Sequence, residues 1–138
     1  MARIGRMLEA AKAVALSGPG VGGRNGTNFR VGAVLFSGNH VISAKHNELK
    51  THPKLARYSP WPFLHAESSC ILHAGFDASH GVDLAVSRVK RDGSVALAKP
   101  CTVCQAIIRQ AGVRRVFYTT DDKPEVWNVA DGSFAAAF

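Results

Sequence analysis

The sequence contains no apolar run of the roughly 18 residues that a bilayer-spanning helix requires. Its N-terminus, MARIGRMLEAAKAVALSG, interrupts the apolar residues with charged ones and does not follow the profile of a secretory signal peptide. These two absences disfavour a membrane-spanning protein and a secreted one, and we therefore expect a cytoplasmic location.

Cysteine is scarce, with 3 residues in a chain of 138. An odd number argues against a disulfide framework, and two of the three form a C-x-x-C pattern at Cys101 and Cys104. In a reducing compartment this pattern indicates metal binding or redox chemistry. The surrounding PCTVC segment lacks the flanking aromatic residues of a thioredoxin-like site, which favours a metal.

Acidic residues are fewer than basic ones, 10 against 17, which gives a formal net charge of +7. Such an excess favours anionic partners such as nucleotides or nucleic acid, and a solvated basic surface is the alternative. Hydrophobic residues make up 46% of the chain, enough for a core without disulfide staples. Because no repeat or linker divides the sequence, residues 1–138 are predicted to form a single domain.

A second short motif, His65-Ala66-Glu67, precedes the cysteine motif. His65, Cys101 and Cys104 supply three ligands for Zn²⁺, and three protein ligands with a water in the fourth position is the catalytic arrangement. Glu67 would stand beside the metal without binding it and would move protons as a general base and acid. The alternative is a structural zinc clip, but no further cysteine or histidine has the spacing of a fourth ligand to these motifs.

The ordered pair H-x-E and P-C-x-x-C, as His65-Ala66-Glu67 and Pro100-Cys101-Thr102-Val103-Cys104, resembles the signature of the cytidine deaminase superfamily of zinc-dependent nucleobase deaminases. The resemblance implies zinc as cofactor and Glu67 as catalytic residue. It also implies substrate contacts at Asn47 and Ala66. Trp61 is a candidate to stack on a flat base, with Phe63 and Tyr58 as alternatives in the same Pro-rich stretch. For Asn47 the alternative is a turn-forming residue, and for Trp61 it is packing in the core or at an interface.

The order of apolar patterns predicts an α/β fold, a three-layer α/β/α sandwich with a mixed five-stranded sheet. A Gly-rich loop at 18–28 lacks the ending of a phosphate-binding Walker motif and is interpreted as a connector. Cys70 is interpreted as a buried packing residue. The predicted helices are 3–17, 65–74 and 101–111, and the predicted strands are 29–36, 40–46, 82–90, 114–120 and 125–129.

The resemblance implies hydrolytic conversion of a cytosine moiety, in a free base, nucleoside or nucleotide, to uracil with release of ammonia. Two alternatives stay open: deamination of a base in single-stranded DNA or RNA, favoured by the +7 charge, and a catalytically inactive zinc-stabilised binding module. The resemblance also implies a homo-oligomer in which neighbours complete the pocket. No membrane partner is expected.

Overall fold

The computed structural model describes residues 2–18, 30–48 and 65–138. The connector predicted at 18–28 and the loop that carries Trp61 therefore lie almost entirely outside the described residues. The helices are α1 (Ala2–Ser17), α2 (Ala66–Ala74), α3 (Phe76–Ser79) and α4 (Thr102–Ala111). The strands are β1 (Arg30–Ser37), β2 (His40–His46), β3 (Asp83–Val89), β4 (Val95–Ala96), β5 (Arg115–Tyr118), β6 (Glu125–Asn128) and β7 (Ser133–Ala136).

The strands form one mixed sheet in the order β2-β1-β3-β5-β6-β7, with β4 paired to β3. The β3–β5 pairing is parallel and the others are antiparallel. The predicted α/β class is confirmed, but the predicted five strands are too few, since the described residues alone form a sheet of seven strands. β4 is only two residues long, and the sequence of β7, SFAA, has no β-branched residue to signal a strand.

Side chains that alternate along the strands build a separate core on each face of the sheet. The core on one face is completed by α2 and α4, and the core on the other face by α1, which gives the three layers. The α2/α4 face is lined by Ala33, Leu35, Leu84, Val86, Val116 and Tyr118, and the α1 face by Val34, Phe36, Ala85 and Phe117. Within the described residues, no helix has the length and apolar content to cross a membrane.

Helix α1 packs so closely on β1 that Gly32 leaves no room for a side chain. A Cβ atom built on Gly32 would clash with the backbone oxygen of Ala11 and would lie 2.5 Å from the backbone nitrogen of Ala15. Both obstructing atoms belong to the backbone of α1, so they cannot move aside without shifting the helix. Gly32 therefore sets the distance between α1 and the sheet.

Replacing Gly32 with alanine is expected to lower the free energy of unfolding by about 1–3 kcal/mol, the usual cost of overpacking a core. Gly5, inside α1, is the matched control because nothing lies within 4 Å of a Cβ added there. Gly5→Ala should raise stability by up to about 1 kcal/mol through helix propensity. Urea denaturation of both variants measures the difference. Equal stability of the Gly32→Ala variant and the parent would contradict the close packing.

A buried carboxylate joins the amino-terminal ends of β3 and β5. Asp83 accepts hydrogen bonds from both guanidinium groups of Arg114 and Arg115, at 2.9–3.3 Å. Burial alone would raise the pKa of Asp83, but the hydrogen bonds from Arg115 and Arg114 outweigh it and hold that pKa below its ordinary value. Asp83 thus remains ionised and fixes the register of the two parallel strands.

Candidate metal centre

The residues of both predicted motifs lie at helix starts, as their spacing required. His65 is the N-cap of α2 and Cys101 the N-cap of α4, each with an extended backbone. Their carbonyl oxygens accept the first hydrogen bonds of the two helices, from the amides of Ser69 at 2.9 Å and Gln105 at 2.8 Å. The predicted helices, 65–74 and 101–111, therefore include one N-cap residue each.

Hydrogen bonds to the end of β5 hold the segment that leads into Cys101. The amide of Ala98 donates to the carbonyl of Thr119 at 2.9 Å, and the hydroxyl of Thr119 donates to the carbonyl of Ala96 at 2.8 Å. The side-chain amide of Gln105 donates to the carbonyl of Pro100 at 2.8 Å. Cys101 is thereby placed at the edge of the sheet where the parallel strands end, the usual position of ligand sites in such sheets.

The side chains of His65, Cys101 and Cys104 come together between the starts of α2 and α4. Their ligand atoms all lie within 4.8 Å of one another. His65 Nδ1 is 3.2 Å from Cys104 Sγ and 3.5 Å from Cys101 Sγ. Tetrahedral zinc with Zn–S near 2.3 Å and Zn–N near 2.0–2.1 Å separates its ligand atoms by about 3.5–3.8 Å. The donor types therefore suit zinc, and both histidine–sulfur distances lie within about 0.3 Å of the tetrahedral range.

The pKa values of the two cysteines shift in opposite directions even without a bound metal. The hydrogen bond from Cys104 lowers the pKa of Cys101, and the contact with His65 lowers it further. The pKa of Cys104 rises well above its ordinary value, because it donates that hydrogen bond and is buried. These contacts favour the thiolate form of Cys101 at the start of α4, where the helix dipole also favours negative charge.

Glu67 is the second residue of α2 and is buried, with 6% of its surface exposed. Burial raises the pKa of its carboxyl group above the ordinary value, while its own backbone amide and His65 oppose the rise. A carboxyl group with a raised pKa beside charged groups is suited to exchange protons near neutral pH. Glu67 does not belong to the group of three potential ligands.

No fourth histidine, cysteine or carboxylate joins the three potential ligands among residues 2–18, 30–48 and 65–138. Cys70 lies elsewhere on α2, and its thiol donates to the carbonyls of Ala33 at 3.1 Å and Ser43 at 3.4 Å. Burial raises the pKa of Cys70 to about 11, so it stays a neutral thiol. The interpretation of Cys70 as a packing residue agrees with this environment.

The three residues predicted to contact substrate differ in their placement. Asn47 follows β2, and its side-chain oxygen accepts a hydrogen bond from the amide of Val31 at 3.1 Å. Asn47 thus ties β2 to the start of β1, and a contact with substrate stays a prediction. Ala66 is fully buried as the first residue of α2, and Trp61 lies outside the described residues.

The profile of one known protein family matches most of the chain. The profile of the cytidine and deoxycytidylate deaminase zinc-binding region matches residues 6–120. The chain belongs to this deaminase family. Residues 6–120 include both motifs and all elements from β1 to β5, so the match to the family does not rest on the motifs alone.

Solved structures share the fold of this deaminase family member at low sequence identity. Cytidine deaminase from Mycobacterium leprae is 22% identical with a TM-score of 0.54, and the alignment covers 92% of this chain and 93% of that one. A mutant cytidine deaminase from Mycobacterium tuberculosis is 20% identical with a TM-score of 0.54, covering 92% and 91%. No curated protein matches the sequence significantly.

Sequence reasoning missed two residues that hold the candidate deaminase site together. The hydroxyl of Ser68 lies 3.3 Å from Cys104 Sγ, and Thr119 holds the segment before Cys101. Ser68 had a usable signal, because residues three apart on a helix share a face and Ser68 follows His65 by three. Thr119 had none, since its partners at residues 88 and 96 are distant in sequence.

Proposed function

We propose that this chain is a zinc-dependent hydrolytic deaminase that converts a cytosine moiety, in a free base, nucleoside or nucleotide, to uracil and ammonia. It would be a hydrolase acting on a carbon–nitrogen bond of a cyclic amidine. The observation that carries the proposal is the group of three ligand atoms from His65, Cys101 and Cys104, with the buried Glu67 two residues from His65. A three-ligand centre beside a carboxylate is the arrangement of a catalytic zinc site.

In this proposal His65, Cys101 and Cys104 would hold the zinc ion. When bound, zinc supplies Lewis acidity and brings the pKa of water toward about 7. Glu67 accepts a proton from the attacking water and delivers it to the ring nitrogen beside the amine-bearing carbon. Water adds to that carbon, the bond to the amine breaks, and the amine leaves as ammonia with the second proton.

The packing around Glu67 supports its role in moving these protons. Its carboxyl group is buried at the first turn of α2, so little bulk water can compete for the protons it carries. The raised pKa brings the group closer to the operating pH, which favours both accepting and returning a proton. Ala66, Asn47 and Trp61 are proposed to complete the substrate pocket.

An ammonia-release screen with the zinc-loaded protein tests the substrate class. It compares cytosine, cytidine, deoxycytidine, their monophosphates, adenosine analogues and a single-stranded oligonucleotide with one cytosine. We expect turnover on at least one small cytosine compound and none on the adenosine analogues. Turnover on the oligonucleotide alone would replace the proposal with the second candidate, deamination in single-stranded nucleic acid, which the +7 charge favours. No turnover on any compound would support the inactive binding module.

We further propose a cytoplasmic homo-oligomer. The three cysteines are free, and the metal-binding thiolates would be preserved in a reducing compartment. Large apolar side chains stay exposed on the described surface, among them Val41 at 44%, Leu97 at 49% and Phe138 at 57%. Burying them between copies would remove apolar surface from water. Light scattering after gel filtration would give the mass, and a monomer would contradict the oligomer.

A further inference from the structure

Helices α2 and α4 face each other through two short rows of polar side chains. His65 and Ser68 form the row on α2, and Cys101 and Cys104 form the row on α4, each pair three residues apart. Ser68 Oγ lies 3.3 Å from Cys104 Sγ, and the two residues are 2% and 1% exposed. The hydroxyl of Ser68 is therefore enclosed in the helix interface and is directed at a potential metal ligand.

When Cys104 binds a metal, its ionisation determines whether Ser68 Oγ or Cys104 Sγ donates the hydrogen bond between them. A thiolate has no proton, so in the zinc-bound state only the O–H of Ser68 can be the donor. Hydrogen bonds to an ionised acceptor are about twice as strong as neutral ones. Within the part of the chain that the structure describes, no lysine or arginine side chain hydrogen-bonds either sulfur. The hydroxyl of Ser68 is then a neutral side-chain donor that offsets the charge on Cys104, beside the Glu67 carboxyl group that also contacts this cysteine.

We propose that Ser68 is a positioning residue of the zinc centre, which fixes the orientation of the Cys104 thiolate and draws negative charge from it. The proposal rests on the proposed function, because it requires zinc at His65, Cys101 and Cys104. Groups that hydrogen-bond to metal ligands orient them and tune the metal, and their loss typically lowers metal affinity by about 10–100-fold. Ser68 acts only through Cys104 and touches no reacting atom in this proposal.

The test compares zinc affinity, measured by competition with a chromophoric chelator, in the full-length parent and in three variants. Ser68→Ala should bind zinc about 10–100-fold more weakly. Ser68→Thr keeps the hydroxyl and should recover most of the affinity. Ser69→Ala is the matched control, since Ser69 is the neighbouring buried serine of the same helix, 7% exposed, with no side-chain hydrogen bond to either cysteine among the described contacts. It should bind zinc like the parent.

A spectroscopic measurement distinguishes a change in the charge on the Cys104 thiolate from a general destabilisation of α2. With Co²⁺ in place of zinc, the thiolate-to-cobalt charge-transfer band should move to longer wavelength in Ser68→Ala, because a thiolate that loses a hydrogen bond gives up its electron more easily. The band of Ser69→Ala should stay at the position of the parent. A general loosening of α2 would weaken the bands of both alanine variants without this selective shift.

The outcomes of the proposed function and of this inference are distinguishable. A parent protein that binds no zinc would overturn both. A parent that binds zinc, together with a Ser68→Ala variant of equal affinity and unchanged cobalt band, would overturn only the role of Ser68. Equal losses in Ser68→Ala and Ser69→Ala would also overturn it, since they would indicate a general effect of the helix.

Discussion

Replacing Glu67 with glutamine is expected to lower turnover of the cytosine substrate by about 10²–10⁴-fold, the usual contribution of a general acid–base group. Glutamine has nearly the same shape but cannot accept and return a proton. Because Glu67 is not among the three potential ligands, the variant should bind the same amount of zinc per chain as the parent. Ammonia release and metal content of the same samples give both results.

Glu9→Gln is the matched control for this variant, because Glu9 is an exposed glutamate on α1, on the opposite face of the sheet. It loses the same charge and should keep full activity. Near-normal turnover of the Glu67→Gln variant would contradict the role of Glu67. Loss of zinc from that variant would instead place Glu67 among the metal ligands.

Replacing Cys104 with alanine is expected to weaken zinc binding by roughly 100–1,000-fold, if the 10–16 kcal/mol of a structural zinc site is shared equally among four ligands. Cys70 provides the control, since Cys70→Ala removes the same sulfur from an equally buried position of α2. The two residues are 1% and 0% exposed, so the packing cost of the substitutions is comparable. Cys70→Ala should therefore retain zinc.

Equilibrium dialysis followed by elemental analysis measures both cysteine variants. The expected pattern is one zinc per chain for the parent and for Cys70→Ala, and a strongly reduced content for Cys104→Ala. Zinc loss in both variants would identify Cys70 as a ligand or show that the packing of α2, and not the thiolate of Cys104, holds the metal. Zinc retention in both would exclude Cys104 from the centre.

The residues of the candidate site could be predicted from local sequence patterns, because the ligands and Glu67 lie within short motifs, two or three residues apart. His65 and Glu67 are too far apart around a regular helix to converge, so their motif had to lie where α2 begins, and His65 is its N-cap. Cys101 and Cys104 are one turn apart, so both sulfurs reach the same side of α4. The match of the family to residues 6–120 then confirmed the deaminase resemblance.

Contacts between distant parts of the chain could not be predicted from these patterns. The strand β7 is held by antiparallel pairing with β6 and by stacking of Phe134 on Trp127, with ring centres 5.8 Å apart. Neither interaction leaves a periodic signal in SFAA. The hydrogen bonds between Asn47 and Val31, 16 residues apart, are another such contact, and the substrate role that the resemblance implies for Asn47 stays a prediction.

X-ray absorption at the zinc edge of the metal-loaded parent tests the three-ligand centre most directly. Sulfur neighbours near 2.3 Å and nitrogen or oxygen neighbours near 2.0–2.1 Å are resolved by their distances. We expect two sulfur neighbours and two light-atom neighbours, with one sulfur lost in the Cys104→Ala variant and none lost in Cys70→Ala. Three sulfur neighbours in the parent would close the coordination sphere with Cys70 and would contradict a catalytic centre at His65, Cys101 and Cys104.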